Sequence, residues 1–264
     1  MKDIIVAKKD HILVITLNRP ESSNAYSEEM VKSFVAALKA ADEDKDVRVI
    51  ILTGAGKNFC AGGDIKAMKE KTGMFSGESN ELRENYTDGI QQIPKTIMEM
   101  RKPIIGMING AAVGAGCDLA AMCDLRVAST EASFAETFAK IGLVPGDGGA
   151  YFLIRLVGFG KASEMFLTCR SYTALEALSM GLVNKVVALD ELHSEVMKLA
   201  EMMSSLPPIA LQMTKKSLRD AYHSSLSAHL DLVGSYQGIT QRSSDHFRAL
   251  EGMKTKTTPK FEHN

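Results

Sequence analysis

KPIIGMINGAAVGAGCDLAAMCD, running from Lys102 to Asp124, is the stretch that decides the fold. Ile104–Asn109 reads as a buried strand, and a helix follows from about Gly116 to Met122. Between them lies the Gly-rich turn Asn109-Gly110-Ala111-Ala112-Val113-Gly114-Ala115-Gly116-Cys117-Asp118. Small residues at a strand-to-helix turn let a ligand approach the backbone, and a helix N-terminus presents unpaired N–H groups. A second such turn, Asn58-Phe59-Cys60-Ala61-Gly62-Gly63-Asp64, follows the β-branched run Val47–Thr53, itself a strand pattern buried on both faces. Each turn alone reads equally well as a tight connection, with Asp64 capping the next helix. Side by side, the two would aim two N–H donors at one point, which is what holding a developing oxyanion requires.

Working outward, Ile4–Lys8 and His11–Leu17 pattern as a hairpin around Lys9-Asp10. Ser27 is an N-cap, and Met30, Val31, Phe34, Leu38 and Ala41 keep helical spacing behind Glu28 and Glu29. Leu125–Ser129 is a further strand, and the alternation of strands with helices predicts an α/β fold. Lys66–Lys95 is polar, carries Gly73 and Gly77, and reads as a mobile, surface-exposed connection. From Gly160 onward the chain patterns as mainly helical. Leu182–Val187 is a lone strand, Ser194–Ser204, Ile209–Tyr222 and Leu226–Leu250 are helices, and Pro207-Pro208 is a firm break. The charged Lys254–Asn264 reads as a tail unless a partner orders it. The domain reading is a core over residues 1–200 and a helical oligomerisation region over 201–264.

At 264 residues with net charge −1, the chain can bury one sizeable core, and its charge balance favours neither nucleic acid nor an anionic membrane as partner. The start lacks the apolar region and cleavage site of a signal peptide. Glycines, Asn109 and Asp118 interrupt Ile104–Met122, the most apolar stretch, as a membrane span would not allow. Cys60, Cys117, Cys123 and Cys169 form no CxxC pair and have no histidine at ligand spacing; reduced thiols in a cytoplasmic setting and no metal are expected. Thr53–Asn58 hints at a phosphate loop, but Asn58 stands where the hydroxyl residue should follow Lys57.

Taken together, the motifs resemble those of the crotonase (enoyl-CoA hydratase/isomerase) family. Phe59-Cys60-Ala61-Gly62-Gly63-Asp64-Ile65 is similar to its FxAGxD signature, Lys102–Asp124 to its KP…NG…GGG…CD segment, and Gly142–Gly149 to GLxPGxGG. Asn18-Arg19-Pro20 with Asn24-Ala25, and Ala174–Val187, match further segments in the family's order. The resemblance implies a spiral of ββα turns with C-terminal helices that help form homotrimers, often stacked as homohexamers. It implies an acyl-CoA thioester substrate whose carbonyl sits between the N–H groups of Ala61 and Ala115. Arg19 and Ala25 would lie along the CoA path, and Ala61, Asp64 and Ile65 would accept the adenine. Coenzyme A would enter as part of the substrate, with no other cofactor.

A hydratase of this kind uses two glutamates, and here those positions hold Asp118 and Phe138. Phenylalanine transfers no protons. Asp118, in an apolar turn, reads as an acid with a raised pKa or as a capping residue. Asp147 is a second candidate acid, or the N-cap of the apolar helix Tyr151–Val157. Glu136, two residues before Phe138, would share its face if that stretch is extended, or is a surface glutamate. Hydration of a conjugated enoyl-CoA is the leading expectation. Double-bond isomerisation, which needs one acid/base, and acyl-CoA binding without turnover are the alternatives.

Overall fold

The computed structural model describes residues 2–262. The chain opens with the hairpin β1 (Ile4–Lys9) and β2 (Ile12–Leu17), paired from Ile4–Leu17 to Lys9–Ile12 about Asp10, which takes a left-handed conformation. After β2 the backbone crosses to a second layer, where Tyr26 bridges Gly63, and returns through α1 (Glu28–Glu43). Ser27 caps α1 by accepting from the Met30 N–H, and Met30, Val31, Phe34, Leu38 and Ala41 are its buried stripe, as their spacing predicts.

That path is then repeated. β3 (Val49–Gly54) pairs parallel to β2, Cys60 bridges Ala112 in the second layer, and α2 (Ile65–Glu70), α3 (Ser79–Asp88) and α4 (Gln92–Glu99) lead back. β4 (Ile104–Ile108) continues the large sheet, β5 (Ala112–Val113) the second layer, and α5 (Ala115–Met122) returns. β6 (Leu125–Ser129) and β7 (Ser133–Ala135) make the next pair of steps. The order is therefore the same in both layers, which is the spiral of ββα turns. Beyond it come α6 (Gly149–Thr168), bent at Gly158, then β8 (Ser171–Thr173), α7 (Ala174–Ser179) and β9 (Lys185–Val187). The large sheet runs β1-β2-β3-β4-β6-β9 and the small one β5-β7-β8.

α8 (Leu189–Ser204) covers the outer face of the large sheet. Its Leu192, Val196 and Ala200 pack with Val49, Ile51, Ile105 and Val127, while Ile50, Leu52, Ile104 and Ile108 face the main core. β3 is buried on both faces, as its unbroken apolar run predicts. The last helices are α9 (Pro208–Ala221), α10 (Leu226–Gln241) and α11 (Ser244–Thr255). The point between residues 200 and 201 falls inside α8. Among the described residues, no helix is long and apolar enough to cross a membrane.

Several expectations are corrected. Lys66–Lys95 holds most of α2, all of α3 and the start of α4, and buries Met74, Phe75, Ile90 and Ile93; its apolar residues are too widely spaced among polar ones to show a period. Leu226–Leu250 is two helices, because Ser243 caps a new one by accepting from the His246 N–H. The described part of the tail, as far as Glu262, folds back onto the chain, while residues 263–264 lie outside the described residues. Arg48 donates to the Phe261 carbonyl, the Glu262 N–H donates to Asp245 Oδ1, and Phe261 is buried. The strand β8 interrupts the region read as mainly helical.

Candidate active site

The two Gly-rich turns lie against each other. Phe59 N–H and Cys60 N–H donate to the Ala111 carbonyl at 3.0 and 3.1 Å, and Val113 N–H donates to the Cys60 carbonyl at 2.9 Å. Asn24, fully buried, fastens the first turn: its amide donates to the carbonyls of Asn58 at 2.8 Å and Ala55 at 2.9 Å, and its Oδ1 accepts from the Arg19 N–H. Gly62, with φ of +82°, is the point of closest approach. A Cβ there would stand 2.7 Å from the Val113 carbonyl oxygen and 3.0 Å from the Ala115 nitrogen, so only glycine lets the turns touch.

This contact decides which N–H groups are free. The Ala61 N–H is not: it donates to the Ser23 carbonyl at 2.9 Å, which corrects the expectation that it faces a ligand. Two residues on, the Gly63 N–H has no hydrogen-bond acceptor among the described residues. The Ala115 N–H belongs to the first residue of α5, where no intrahelical acceptor exists. Gly63 and Ala115 line one cavity, together with Ala61, Gly114, Phe138 and Asp147. Met68, Phe75, Tyr86 and Ile90, all from the stretch read as a connection, line it as well. Gly63 and Tyr86 are the residues that sequence reasoning missed. The paired glycines after Ala61 and the four-residue step from Tyr86 to Ile90 were the available signals.

The three acids converge. Asp118, on α5, and Glu136, just past β7, are fully buried, and Asp147 is 3% exposed. No N–H or hydroxyl among the described residues donates to either carboxyl oxygen of Asp118 or Glu136. Instead Asp118 contacts Asp147 on one side and Glu136 on the other, and the Cys117 thiol lies beside Glu136. Only Asp147 reaches the cavity wall. Gly149 makes room for this: a Cβ there would stand 1.6 Å from Asp118 Oδ1. Asp147 caps no helix, since Gly148 is the N-cap of α6 and Gly114 that of α5. Glu136 is not a surface residue. Nor does it share a face with Phe138, because β7 ends at Ala135 and Phe138 begins a 3-10 turn.

Burial pushes the Asp118 carboxyl well above the usual aspartate range, and its neighbours Asp147 and Glu136 push it further. Burial pushes Glu136 up to about 8, although the neighbouring Cys117 thiol and Asp118 carboxyl pull it back. Burial raises Asp147 too, against a hydrogen bond from Asp118 and one from its own backbone. The contacts with Asp118 stabilise its partners as anions and Asp118 itself as an acid.

The residues expected along coenzyme A also lie together. Arg19 donates to the Ala25 carbonyl at 2.6 Å and to Asp64 at 3.3 Å. Asp64 caps α2 through the Lys66 and Ala67 N–H groups. Although burial works against it, those N–H donors and Arg19 hold its carboxyl below the usual range. Ile65 is exposed beside them. A larger hollow, about 390 Å³, lies under α9 and is lined by Met122, Phe152, Leu211 and Leu218. Its one acid, Asp124, is held by Lys215 and Arg219.

A family profile described as Enoyl-CoA hydratase/isomerase matches residues 7–264. Over 257 residues the chain is 38% identical to a Dictyostelium discoideum protein named "Probable enoyl-CoA hydratase, mitochondrial", covering 97% of this chain and 89% of the relative. It is 34% identical over 262 residues to the 2,3-dehydroadipyl-CoA hydratase of Escherichia coli, covering 99% of each. Its fold is similar to the crystal structure of an enoyl-CoA hydratase from Bacillus anthracis, with a TM-score of 0.93 at 30% identity over 99% of this chain and 100% of that one.

Proposed function

Because this chain belongs to the enoyl-CoA hydratase/isomerase family, we propose that it adds water to the double bond conjugated with a coenzyme-A thioester. The observation that carries this reading is one cavity lined by two residues with unengaged N–H groups, Gly63 and Ala115, and by one buried carboxyl, Asp147. The thioester oxygen sits between the two N–H groups. As water oxygen bonds to C3, Asp147 takes its proton, and the π electrons move onto the thioester oxygen as an enolate. Asp147 then returns that proton to C2. One water is added, Asp147 is ionised again, and a single carboxyl closes the cycle, so Phe138 in place of a second acid is no obstacle.

Arg19, Ala25, Ala61, Asp64 and Ile65 flank the path of coenzyme A, which enters as part of the substrate. Hydration moves no electrons between partners, and the reading includes no metal or redox cofactor. It also includes a cytoplasmic homotrimer or homohexamer that takes acyl-CoA thioesters rather than nucleic acid or membrane.

A second reading is favoured by the same single carboxyl: moving a double bond from C3 to C2 needs one base to take a proton at C2 and return it at C4. Parallel assays with crotonyl-CoA and a 3-enoyl-CoA separate the two. Hydration predicts faster loss of the conjugated thioester absorbance from crotonyl-CoA. Faster gain of that absorbance from the 3-enoyl-CoA would replace hydratase by isomerase, and no turnover of either would leave a binding protein.

A further inference from the structure

Asp147 is the acid at the cavity, yet two further carboxyls stand behind it in file, Asp118 next and Glu136 at the buried end. With no N–H or hydroxyl reaching Asp118 or Glu136, each contact in the file needs a proton on one side or the other, because an ionised carboxylate only accepts. Three adjacent charges without a cation would be prohibitive. The groups around Glu136 are the Cys117 thiol and the carboxyls of Asp118 and Asp147, and none of them is cationic. Beside Asp147, Tyr26 and Cys60 are buried and neutral.

We infer that Glu136 is a positioning residue of the reaction centre: as a neutral acid it donates its proton to one oxygen of Asp118 and so turns the single O–H of Asp118 toward Asp147. This deepens the hydratase reading and rests on its assignment of Asp147 to the reacting atoms. The file then runs Glu136–H to Asp118–H to Asp147 carboxylate, two protons and one charge, with the charge at the cavity. If Glu136 ionises, it competes for that same O–H. Asp118 then turns inward and Asp147 loses its donor. Burial pushes Glu136 to about 8, which puts this reversal at the alkaline edge of the working range.

The test is the pH profile of kcat for crotonyl-CoA hydration in wild type, Glu136→Gln and Glu136→Leu. Glutamine keeps a donor that cannot ionise. Its kcat at pH 7 should stay within about threefold of wild type, and the alkaline loss seen in wild type above about 8 should vanish. Leucine removes the donor, and kcat should fall about tenfold or more with KM unchanged. An alkaline limb present equally in wild type and Glu136→Gln, or absent from wild type, overturns the inference. If the leucine variant does not fold, the glutamine profile alone decides.

Melting temperature against pH needs no turnover and separates failure of this inference from failure of the hydratase reading. Between the ordinary glutamate value of 4.5 and about 8, the folded chain holds the Glu136 proton and the unfolded chain does not, so stability falls as pH rises through that window. Glu136→Gln should show a shallower fall than wild type, in which Asp118 and Asp147 still contribute. Equal slopes sink the buried proton whatever the turnover. Unequal slopes in a chain that converts no enoyl-CoA sink the hydratase reading and sustain the proton.

Discussion

At the residue scale, the chemistry turns on which side chain and which N–H groups meet the acyl group. Asp147→Asn keeps the shape and removes the base, and kcat should fall by about two to four orders of magnitude with KM little changed. An unaltered kcat would end the assignment. In wild type, burial raises Asp147, so its working anion is lost on acidification at a pH above the ordinary aspartate value of 3.8, and the acid limb of kcat/KM should lie there. Ala115→Pro tests the oxyanion donor, because proline suits the first residue of a helix and replaces the N–H with a ring carbon. A loss of at least about a hundredfold in kcat, without a large drop in melting temperature, is expected. Ala61→Pro should instead break the bond to Ser23 and act mainly on stability, at about 1 kcal/mol or more. Asp118 was legible through the resemblance, as the residue at the family's first acid position, whereas Glu136 read as readily as a surface residue. The free donor was not legible, since Ala61 and Gly63 differ only in what approaches them from Ser23.

At the scale of elements, α5 and α6 meet where the Asp118 carboxyl rests on Gly149. Gly149→Ala should cost about 1–3 kcal/mol by overpacking and also lower kcat, because the methyl must push Asp118 off its line to Asp147. A variant as stable and active as wild type would show that the contact is slack. α9 is held differently. Lys215, 7% exposed, donates to the Lys102 carbonyl at 2.6 Å and to Asp124 at 2.7 Å, and Arg219 binds the other Asp124 oxygen at 3.1 Å. Lys215→Ala leaves that acid with Arg219 and the Ile104 N–H but without its buried cation, and denaturant unfolding should show a loss of about 3–5 kcal/mol. A loss below about 1 kcal/mol would reduce the pair to a surface bridge. Neither contact could be read from periodicity, which reports the buried face of a helix and not the element it meets.

For the whole molecule, the unbalanced feature is the C-terminal helical region. α10 buries no residue, and Leu226, Leu230 and Ile239 on it, with Phe247, Leu250 and Met253 on α11, are all exposed in the single chain. An apolar surface of that extent is covered in solution if the proposed trimer or hexamer forms. Light scattering at micromolar concentration should give at least a trimeric mass, and Leu226→Asp with Leu230→Asp should lower it. A monomeric wild type would refute the assembly.

By itself the sequence determined the local elements of this chain. Unbroken apolar runs specify strands buried on both faces, 3.6-residue spacing specifies α1, and glycine where no Cβ fits specifies the two turns, all from forces acting between near neighbours. Only the tertiary structure decided what those turns present. Ser23 takes the Ala61 N–H and leaves that of Gly63 free, while Asp118, Glu136 and Asp147, from separate turns of the spiral, come into one file. Hydrogen-bond partners and buried charges are settled by groups far apart along the chain, and their spacing in sequence carries no trace of who meets whom.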